Sequence, residues 1–471
     1  MNNQREAELL GIIQQQQQII ERLSAELAEL RAQLAKNSSN SGKPPSSDGL
    51  KKPAPKSQRE KGKRKSGGQV GHKGKTLEAV AQPDEVVRHR LVSCPHCAQD
   101  LSETMPEAVT RRQVFELPPL RLVVTEHQAE TVCCPGCKRR VSAAFPLGVA
   151  QPVQYGERFK ALLVYLNAYQ LVPMKRLTEL VQDWFGQPVS QGTLDHALAQ
   201  VAESVEGVLE QVADGLVTSA VAHADETGVR VAGKLHWLHV MSTPGLTHYG
   251  IHAKRGREAL DALDLLPRFR GELVHDGWSA YTGYTQCGHA LCGAHLLREL
   301  TFLEEQSQQR WAAEMKTLLL KAKAAVEAAR GCGETNLHPT DQAAFLKAYN
   351  CLVAAGFAAN PPPETRPGRR RVAQSPARKL LKRLERDRFA VLHFMHNFAV
   401  PFDNNLAERD LRMMKVKQKV SGCFRTVQGA LRFCAIRSYL STARKHGLSM
   451  FSALVDAFFG TPFMPALATP E

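Results

Sequence analysis

Three acidic residues lie at the ends of two predicted strands and in the first turn of a predicted helix. Asp225 is expected at the end of the strand-like stretch VTSAVAHADETG, Asp276 just past the strand-like ELVH, and Glu408 in the first turn of a helix beginning near Asn405. Neighbouring carboxylates repel one another unless divalent cations lie between them. Two such cations, Mg²⁺ or Mn²⁺, can activate an attacking oxygen and stabilise a leaving one at phosphorus. The three acids therefore predict a metal-dependent phosphoryl-transfer site.

The predicted elements around Asp225 and Asp276 would bring these two residues together. Strand-like stretches VTSAVAHADETG, VRVAG, LHWLHVMST and LTHYGIHA are separated by Gly-containing turns, and the short helical GREALDALDLL leads to ELVHDGWSAY. Three antiparallel strands, a helix and a fourth strand are typical of a ribonuclease-H-like core, a mixed β-sheet with helices. In that fold the first and fourth strands are neighbours, so we expect the two carboxylates side by side.

A run of cations follows Glu408 and could bind a phosphate backbone beside the site. The predicted DNA-binding residues of this run are Arg409, Arg412, Lys415, Lys417, Lys419 and Arg425. Structural alternatives exist for each acid taken alone. Asn405 and Glu408 have the spacing of a capping box, and Asp225 or Asp276 could be a turn residue at a strand end.

The overall composition favours a polyanionic partner. The formal net charge is +15 and the pI is about 9.4, which indicates double-stranded DNA more than any other ligand. We expect no membrane partner and a cytoplasmic, nucleoid-associated protein, because no long uncharged apolar stretch or signal-peptide pattern occurs. A chain of 471 residues is longer than one hydrophobic core usually serves, so we expect a multidomain α+β protein.

Residues 1–36 have the heptad pattern of a coiled coil. The seam consists of Leu9, Ile13, Gln16, Ile20, Leu23, Leu27, Leu30 and Leu34. Alternating steps of four and three predict an N-terminal coiled coil and hence a homo-oligomer. The alternative is a single amphipathic helix that packs on its own chain.

Residues 37–80 lose aromatic residues and gain Ser, Pro, Gly and Lys, which predicts a disordered basic linker. Its candidate DNA-binding residues are Lys63, Arg64, Lys65 and Lys73. These cations could neutralise phosphates along a DNA groove. The alternative is a linker that only improves solubility.

Two C-x-x-C pairs predict a zinc ribbon over residues 81–150. The four candidate ligands of a structural Zn²⁺ are Cys94, Cys97, Cys134 and Cys137. Paired thiolates of this kind complete a closed tetrahedral shell. Short strands are expected between the pairs, in QVFELPP and RLVVTEHQAE, and Cys133 and His96 are rival ligands.

Residues 151–215 have a helical pattern that breaks at Gly186 and Pro188, with Ser190 as the expected N-cap of the next helix. This arrangement fits a helix-turn-helix that binds DNA. The second helix has Asp195 and no Lys or Arg, so an ordinary pair of packed helices explains the pattern equally well.

Several blocks together resemble the insertion-sequence-sixty-six family of bacterial transposases. They are GGQVGHKGK, the CPHC and CCPGC pairs, HADETGVRV, LVHDGWSAY, CGAHLLREL and VPFDNNLAERDLRMMKVKQKVSGCFRT, continued by IRSYLSTARKHG. The resemblance covers nearly the whole chain. It implies a catalytic triad of Asp225, Asp276 and Glu408, and a ribonuclease-H-like domain over residues 216–425.

The resemblance further implies a helical insertion over about residues 296–396. We expect a C-terminal helical region over residues 426–471. Expected partners are the DNA of the element ends and of the target, and small accessory proteins of the same element. Cys292 and His295 match a C-x-x-H element of several transposase families. They could be a buried structural pair or a second metal site.

Three functions remain open at this point. The first is a transposase that cleaves DNA at element ends and joins the freed 3′ hydroxyls to a target. The second is a DNA-binding regulator without catalysis, and the third is a ribonuclease-H-like nuclease or resolvase without joining activity. Intact acids favour an enzyme, and an integration assay separates the two enzymes.

Overall fold

The computed structural model describes residues 2–36, 76–362 and 374–467. The predicted DNA-binding residues of the basic linker, Lys63, Arg64, Lys65 and Lys73, lie outside these residues. The chain divides into two compact units, one of residues 55–125 and one of residues 1–54 with 126–471. No helix among the described residues has the length and apolar composition needed to cross a bilayer.

The heptad region forms one helix, α1 (Asn2–Leu34). The seven apolar seam residues are between 48% and 86% exposed, with Leu27 the least and Leu34 the most accessible. A helix that packed on its own chain would bury this seam. The exposure therefore goes against that alternative.

Each C-x-x-C pair forms a tight turn. In both turns the N–H of the first cysteine, Cys94 or Cys134, donates to the carbonyl five residues on, at 2.9 and 2.8 Å. The residue after the second cysteine, Ala98 or Lys138, has a left-handed φ of 60° in both. Strands β1 (Thr131–Cys133) and β2 (Arg140–Ser142) pair antiparallel on either side of the second turn.

The strands predicted in QVFELPP and RLVVTEHQAE do not form as predicted. Residues 113–130 have no strand, and β1 begins only at Thr131. Pro118 and Pro119 lack the N–H that a ladder needs, and the side chains of Val114 and Val124 are exposed. Alternating apolar residues without a neighbouring strand to pair with do not make a sheet.

Within the described residues, four helices after α1 precede the central sheet and bury one apolar face each. They are α2 (Glu157–Val164), which continues into a π-helical turn (Tyr165–Tyr169), α3 (Met174–Phe185), α4 (Gln191–Ser204) and α5 (Glu206–Val217). The expected break is confirmed, since Gly186 is left-handed at φ +66°. Ser190 is also confirmed as the N-cap of α4, because its hydroxyl accepts from the Thr193 N–H at 3.0 Å.

Helix α4 packs in the core through Leu194, Ala197 and Val201, none more than 1% exposed. Its Asp195 accepts from Arg432 at 2.9 Å, which ties it to the C-terminal helices. A recognition helix needs an accessible, cationic or amide-rich face. The outer face of α4, with Asp195 and His196, is exposed, so the helix-turn-helix and the packed pair both stay predictions.

The central sheet has five strands. They are β3 (Val221–Val231), β4 (Lys234–Ser242), β5 (Thr247–His252), β6 (Glu272–His275) and β7 (Gly288–Leu291). The order is β5-β4-β3-β6-β7, with β3, β4 and β5 antiparallel and β3, β6 and β7 parallel. Helix α6 (Arg257–Ala262) connects β5 to β6. The predicted three antiparallel strands and the neighbouring first and fourth strands are confirmed, whereas β7 was not predicted.

Two details of the predicted strands were wrong. Gly228 was expected in a turn but continues β3, and the chain turns at Ala232 and Gly233, both with positive φ. Asp225 therefore lies in the middle of β3 rather than at its end. The strand continues because its outer half forms a hairpin with β4, where Asp225 pairs with Val240.

In the described part of the region between β7 and α12, five helices enclose a second core. They are α7 (Gly293–Ser307), α8 (Arg310–Gly331), α9 (Pro339–Ala359), α10 (Pro376–Arg386) and α11 (Arg388–His396). Leu300, Trp311 and Leu381 are among its buried residues. The two ends of this insertion meet, because the Gly293 N–H donates to the Phe402 carbonyl at 2.8 Å. A Cβ at Gly293 would collide with the Phe402 ring.

Three helices complete the fold, α12 (Asn405–Ser421), α13 (Val427–Lys445) and α14 (Met450–Phe458). Helix α13 packs along the edge strand β5, where Ser438 accepts from the Tyr249 N–H at 2.8 Å. Thr442 accepts from the Thr247 N–H at 3.1 Å. The free edge of the sheet is thus covered by a helix that satisfies its donors.

Candidate active site

The register of the sheet places Asp225 and Asp276 at equivalent positions. His223 of β3 pairs with Val274 of β6 in the parallel ladder. Each acid lies two residues beyond its paired residue. Side chains alternate between faces with a period of two, so both carboxylates project from the same face at the end of the shared ladder.

Asp225 lies in a desolvated, acidic environment. Burial raises its pKa well above the ordinary value, and the charge of neighbouring Glu226 raises it further. Asp276 and Glu408 also raise the pKa of Asp225, so both carboxylates lie within electrostatic range. The Glu226 N–H donates to Oδ1 of Asp225 at 2.8 Å and partly offsets these effects. The structure therefore brings the three predicted acids together.

Two hydrogen-bonded histidines, the buried His275 and the half-buried His289, hold the turn that carries Asp276. Nδ1 of His275 accepts from the Gly277 N–H at 3.0 Å, so its Nε2–H donates to Nδ1 of His289 at 3.1 Å. Nε2 of His289 then donates to the Tyr284 carbonyl at 3.0 Å. Burial lowers the pKa of His275 to about 3, which keeps this ring neutral. Sequence analysis missed this network because only the folded sheet brings the two rings together.

Glu226 is a second buried acid that sequence analysis also missed. Its side chain is 2% exposed. Arg255 donates to Oε1 at 3.0 and 2.6 Å, and the Tyr281 hydroxyl donates to Oε2 at 2.5 Å. Burial raises the pKa of Glu226, whereas the bonds from Tyr281 and Arg255 lower it. The only sequence signal was an acid directly after Asp225.

The Arg255 guanidinium lies between two indole rings. It is 4.8 Å from the ring centre of Trp237 on β4 and 4.2 Å from that of Trp278. Trp278 follows Asp276 by two residues, and its backbone N–H donates to Oδ1 of Asp276 at 2.8 Å. Arg255 thus connects the segment carrying Asp276 with Glu226 beside Asp225.

Asn404 fixes the start of helix α12, which carries Glu408. The Asn404 side chain is 1% exposed, its amide N–H donates to the Ala224 carbonyl at 2.8 Å, and its Oδ1 pairs with Nδ1 of His223 at 2.9 Å. Asn404 is the N-cap residue and makes no side-chain capping bond. The capping-box alternative for Asn405 and Glu408 is therefore wrong, because the helix starts one residue earlier than that motif requires.

An ion pair joins α12 to α13, and the same carboxylate also bonds to the edge strand β5. Oδ2 of Asp410 lies 3.0 Å from Nζ of Lys445 and accepts from the Thr247 hydroxyl at 3.2 Å. Near the far end of the helix, Gln418 donates to the Gly228 carbonyl at 2.8 Å. These contacts hold the helix across β3 and determine where Glu408 lies.

The cations of α12 do not all face the same way. Arg412, Lys415 and Lys419 follow Glu408 by four, seven and eleven residues and thus share its helical face. Burial lowers the pKa of Lys415, and the charge of Asp225 opposes this effect. Arg409 and Arg425 are also exposed.

Lys417 lies apart from this face. Its Nζ packs over the rings of Phe424 and Phe433, at 4.5 and 5.4 Å from their centres. Burial lowers the pKa of Lys417. The geometry of Lys417 fits a packing role better than the predicted contact with DNA.

Cys292 and His295 lie beside Glu408. One ligand atom of each of these three residues falls within 4.8 Å of the other two. Cys292 precedes the first turn of α7 and is 1% exposed. The pair therefore adjoins the third acid, which the spacing of the sequence did not predict.

The two cysteine turns are suited to hold thiolates. The backbone N–H of His96 is the largest cause of a lowered pKa at Cys94, and that of Cys137 has the same effect at Cys134. Cys133, a rival ligand, donates instead to the Lys138 carbonyl at 3.4 Å. Backbone N–H groups that stabilise a thiolate favour metal binding.

A mixed five-stranded sheet with acids on neighbouring strands and a third acid on a later helix fits the core of DDE transposases. The family described as "Transposase IS66 family" matches residues 152–432, more than half of the chain. The chain therefore belongs to the IS66 family of transposases. A family of unknown function matches residues 1–78. No curated protein matches the chain.

Proposed function

We propose that this chain cleaves DNA at the ends of its mobile element and joins the freed 3′ hydroxyls to target DNA. The observation that carries the proposal is the common register of Asp225 and Asp276 beside Glu408, in an environment that raises the pKa of Asp225. Carboxylates that lie within electrostatic range of one another are unfavourable without a counter-charge. A site that binds cations between them explains the arrangement.

The donor set fits Mg²⁺ or Mn²⁺, because carboxylate oxygens are the ligands that these hard cations prefer. Asp225, Asp276 and Glu408 would hold them. When bound, the cations would activate the attacking oxygen and stabilise the leaving oxygen of an in-line displacement. Water serves as nucleophile for cleavage and a 3′ hydroxyl for joining, so no covalent intermediate with a side chain is needed.

The surrounding residues position the acids and the DNA. The hydrogen bonds of Asn404 and the Asp410–Lys445 ion pair hold Glu408 at the sheet. Arg412, Lys415 and Lys419 would bind phosphates along the helical face that begins at Glu408. Arg409 and Arg425 would add contacts at its border.

The N-terminal regions would supply assembly and further DNA contact. The exposed seam of α1 would pair with a second chain, giving a homo-oligomer. The two cysteine turns would hold one structural Zn²⁺ through Cys94, Cys97, Cys134 and Cys137. Linker residues Lys63, Arg64, Lys65 and Lys73 would neutralise phosphates, and small accessory proteins of the element would complete the active complex.

The test is incubation of the full chain with Mg²⁺ and the DNA that flanks its gene, followed by mapping of nicked and joined ends. Asp225→Asn, Asp276→Asn and Glu408→Gln should each lower cleavage by at least roughly a hundred-fold, because each removes one negative ligand. Their affinity for DNA without divalent metal should be retained, since the basic residues remain.

Asp403→Asn is the matched control, since Asp403 caps the Asn405 N–H and is not among the proposed ligands. This variant should cleave like the wild type. A wild-type rate for Glu408→Gln would exclude the triad. Cleavage without joined products would indicate the nuclease or resolvase, and binding without cleavage by the wild type would indicate the regulator.

A further inference from the structure

Cys292, His295 and Glu408 meet where two helices begin. His295 lies in the first turn of α7 and Glu408 in the first turn of α12. Cys292 immediately precedes α7, and its Sγ accepts from the Asn404 N–H at 3.2 Å. One ligand atom of each of the three residues lies within 4.8 Å of the others. The backbone contacts of these elements therefore hold the three residues together.

Two atoms of this cluster lack the partner that burial requires. Nδ1 of His295 and Oε1 of Glu408 are both buried and make no hydrogen bond within the described part of the chain. They lie 3.7 Å apart, which is too long for a hydrogen bond between them. A nitrogen and an oxygen ligand of one tetrahedral ion, with bonds of about 2.0 to 2.2 Å, are separated by about 3.3 to 3.6 Å. The spacing of the two atoms thus matches shared ligation more closely than direct pairing.

We propose that Cys292, His295 and Glu408 bind one transition-metal ion of the Zn²⁺ type. Thiolate, imidazole and carboxylate donors together favour Zn²⁺ or Co²⁺, whereas Mg²⁺ takes oxygen ligands almost exclusively. Three protein ligands leave one coordination position open. This site is separate from the four-cysteine site and differs from it in donor set.

The proposed ion would orient the third acid. Oε1 of Glu408 faces His295, which leaves Oε2 for the cations shared with Asp225 and Asp276. Ligation through one oxygen restricts the rotation of the carboxylate, so the second oxygen is directed before DNA binds. Only this orienting role rests on the proposed function, because binding of the ion itself requires no catalysis.

The purified full chain is dialysed against Zn²⁺ and freed of loosely held ions. Elemental analysis then measures the number of transition-metal ions per chain. Cys292→Ala and His295→Gln should each hold one ion per chain fewer than the wild type. Cys287→Ala is the matched control, because Cys287 is also buried but donates its S–H to the Tyr284 carbonyl. This control should keep the full complement. Substitution of Co²⁺ should give a thiolate-to-metal absorption band that weakens in Cys292→Ala.

Equal metal content in Cys292→Ala, His295→Gln and the wild type would overturn the proposal. His295 is partly exposed, so His295→Gln remains informative even where Cys292→Ala fails to fold by circular dichroism. Asp225→Asn separates this site from the proposed catalysis. That variant should lose DNA cleavage and keep the ion, whereas His295→Gln should lose the ion in the absence of any DNA.

Discussion

Arg255 donates two hydrogen bonds to Oε1 of Glu226, at 3.0 and 2.6 Å, and Glu226 is the residue next to Asp225. The same guanidinium stacks on Trp278, two residues after Asp276. One side chain therefore links the strand carrying the first acid with the loop carrying the second. Arg255 is a positioning residue, since it acts on the acids only through its neighbours.

Arg255→Lys should lower cleavage by about 10-fold to 100-fold, the usual effect of losing a residue that orients metal ligands. Lysine keeps the charge but loses the planar, two-pronged donor and the stacking on both indoles. The measurement is cleavage rate against Mg²⁺ concentration, and half-maximal activity should require more Mg²⁺. Arg257→Lys is the control, because Arg257 pairs with Asp261 at the surface. Superimposable Mg²⁺ curves for the two variants would contradict the positioning role.

Lys415→Ala should weaken DNA binding and reduce the slope of log affinity against log salt by about one. Lys415 shares the helical face of Glu408, so it should neutralise one phosphate. Lys417→Ala is the matched comparison on the same helix, and it should leave that slope unchanged because Lys417 packs over Phe424 and Phe433. Fluorescence anisotropy at several salt concentrations measures both. A larger change of slope for Lys417→Ala would reverse this assignment of the helical faces.

Asp410→Asn should destabilise the fold by about 2 kcal/mol, because it leaves the charge of Lys445 without its carboxylate partner. The loss is moderated by the carbonyls of Thr243 and Leu246, which accept from Lys445 at 2.8 Å each. Urea unfolding measures the change. Asp403→Asn has no such ion pair and should unfold at nearly the wild-type midpoint. Equal midpoints for the two variants would show that the ion pair adds nothing to stability.

The zinc content of the Cys134→Ser variant should be lower by one Zn²⁺ per chain than that of the Cys133→Ser variant. Cys134 is a proposed ligand, whereas Cys133 donates to a carbonyl. The turn around Cys134 should also loosen, which faster proteolysis near residue 134 would report. Zinc analysis of both purified variants gives the comparison. Identical zinc contents would exclude the predicted ribbon.

Charged substitutions in the seam, Leu23→Glu with Leu27→Glu, should reduce the oligomer to smaller species, because charges at these positions oppose helix pairing. Ile12→Glu with Ile19→Glu is the control, since both residues are exposed on α1 outside the seam. Multi-angle light scattering measures the mass. An unchanged mass for the seam variant would show that α1 does not hold the chains together.

The order of the first four strands of the central sheet could be predicted from sequence, because each shows its own apolar pattern and their succession is typical of a ribonuclease-H-like core. The position of Asp225 within β3 could not be predicted. Gly228 has the composition of a turn, and only the hairpin with β4 allows it to continue as a strand. Asp225 and Asp276 nevertheless have the expected common register, since it depends only on the pairing of β3 with β6.

The residues that support the acids were beyond prediction for another reason. Asn404 and Asn405 are adjacent and identical, so a pattern cannot show which of them caps α12. Arg255 and His289 act through partners that are distant in sequence or on other strands. Such contacts have no local periodicity, so only the folded chain identifies them.

The hydrogen bond between Gly293 and Phe402 closes the base of the helical insertion. The position of Glu408 is therefore set by the residues at the base of the insertion. The number of residues between the second and third acids is not a geometric requirement. Closing a flexible connection of twice the length costs only about 0.6 kcal/mol more. Insertions of very different size could thus be exchanged above this base while Glu408 stays in position. The spacing between acids is then a poor criterion for recognising such a site, and the residues flanking the base are a better one.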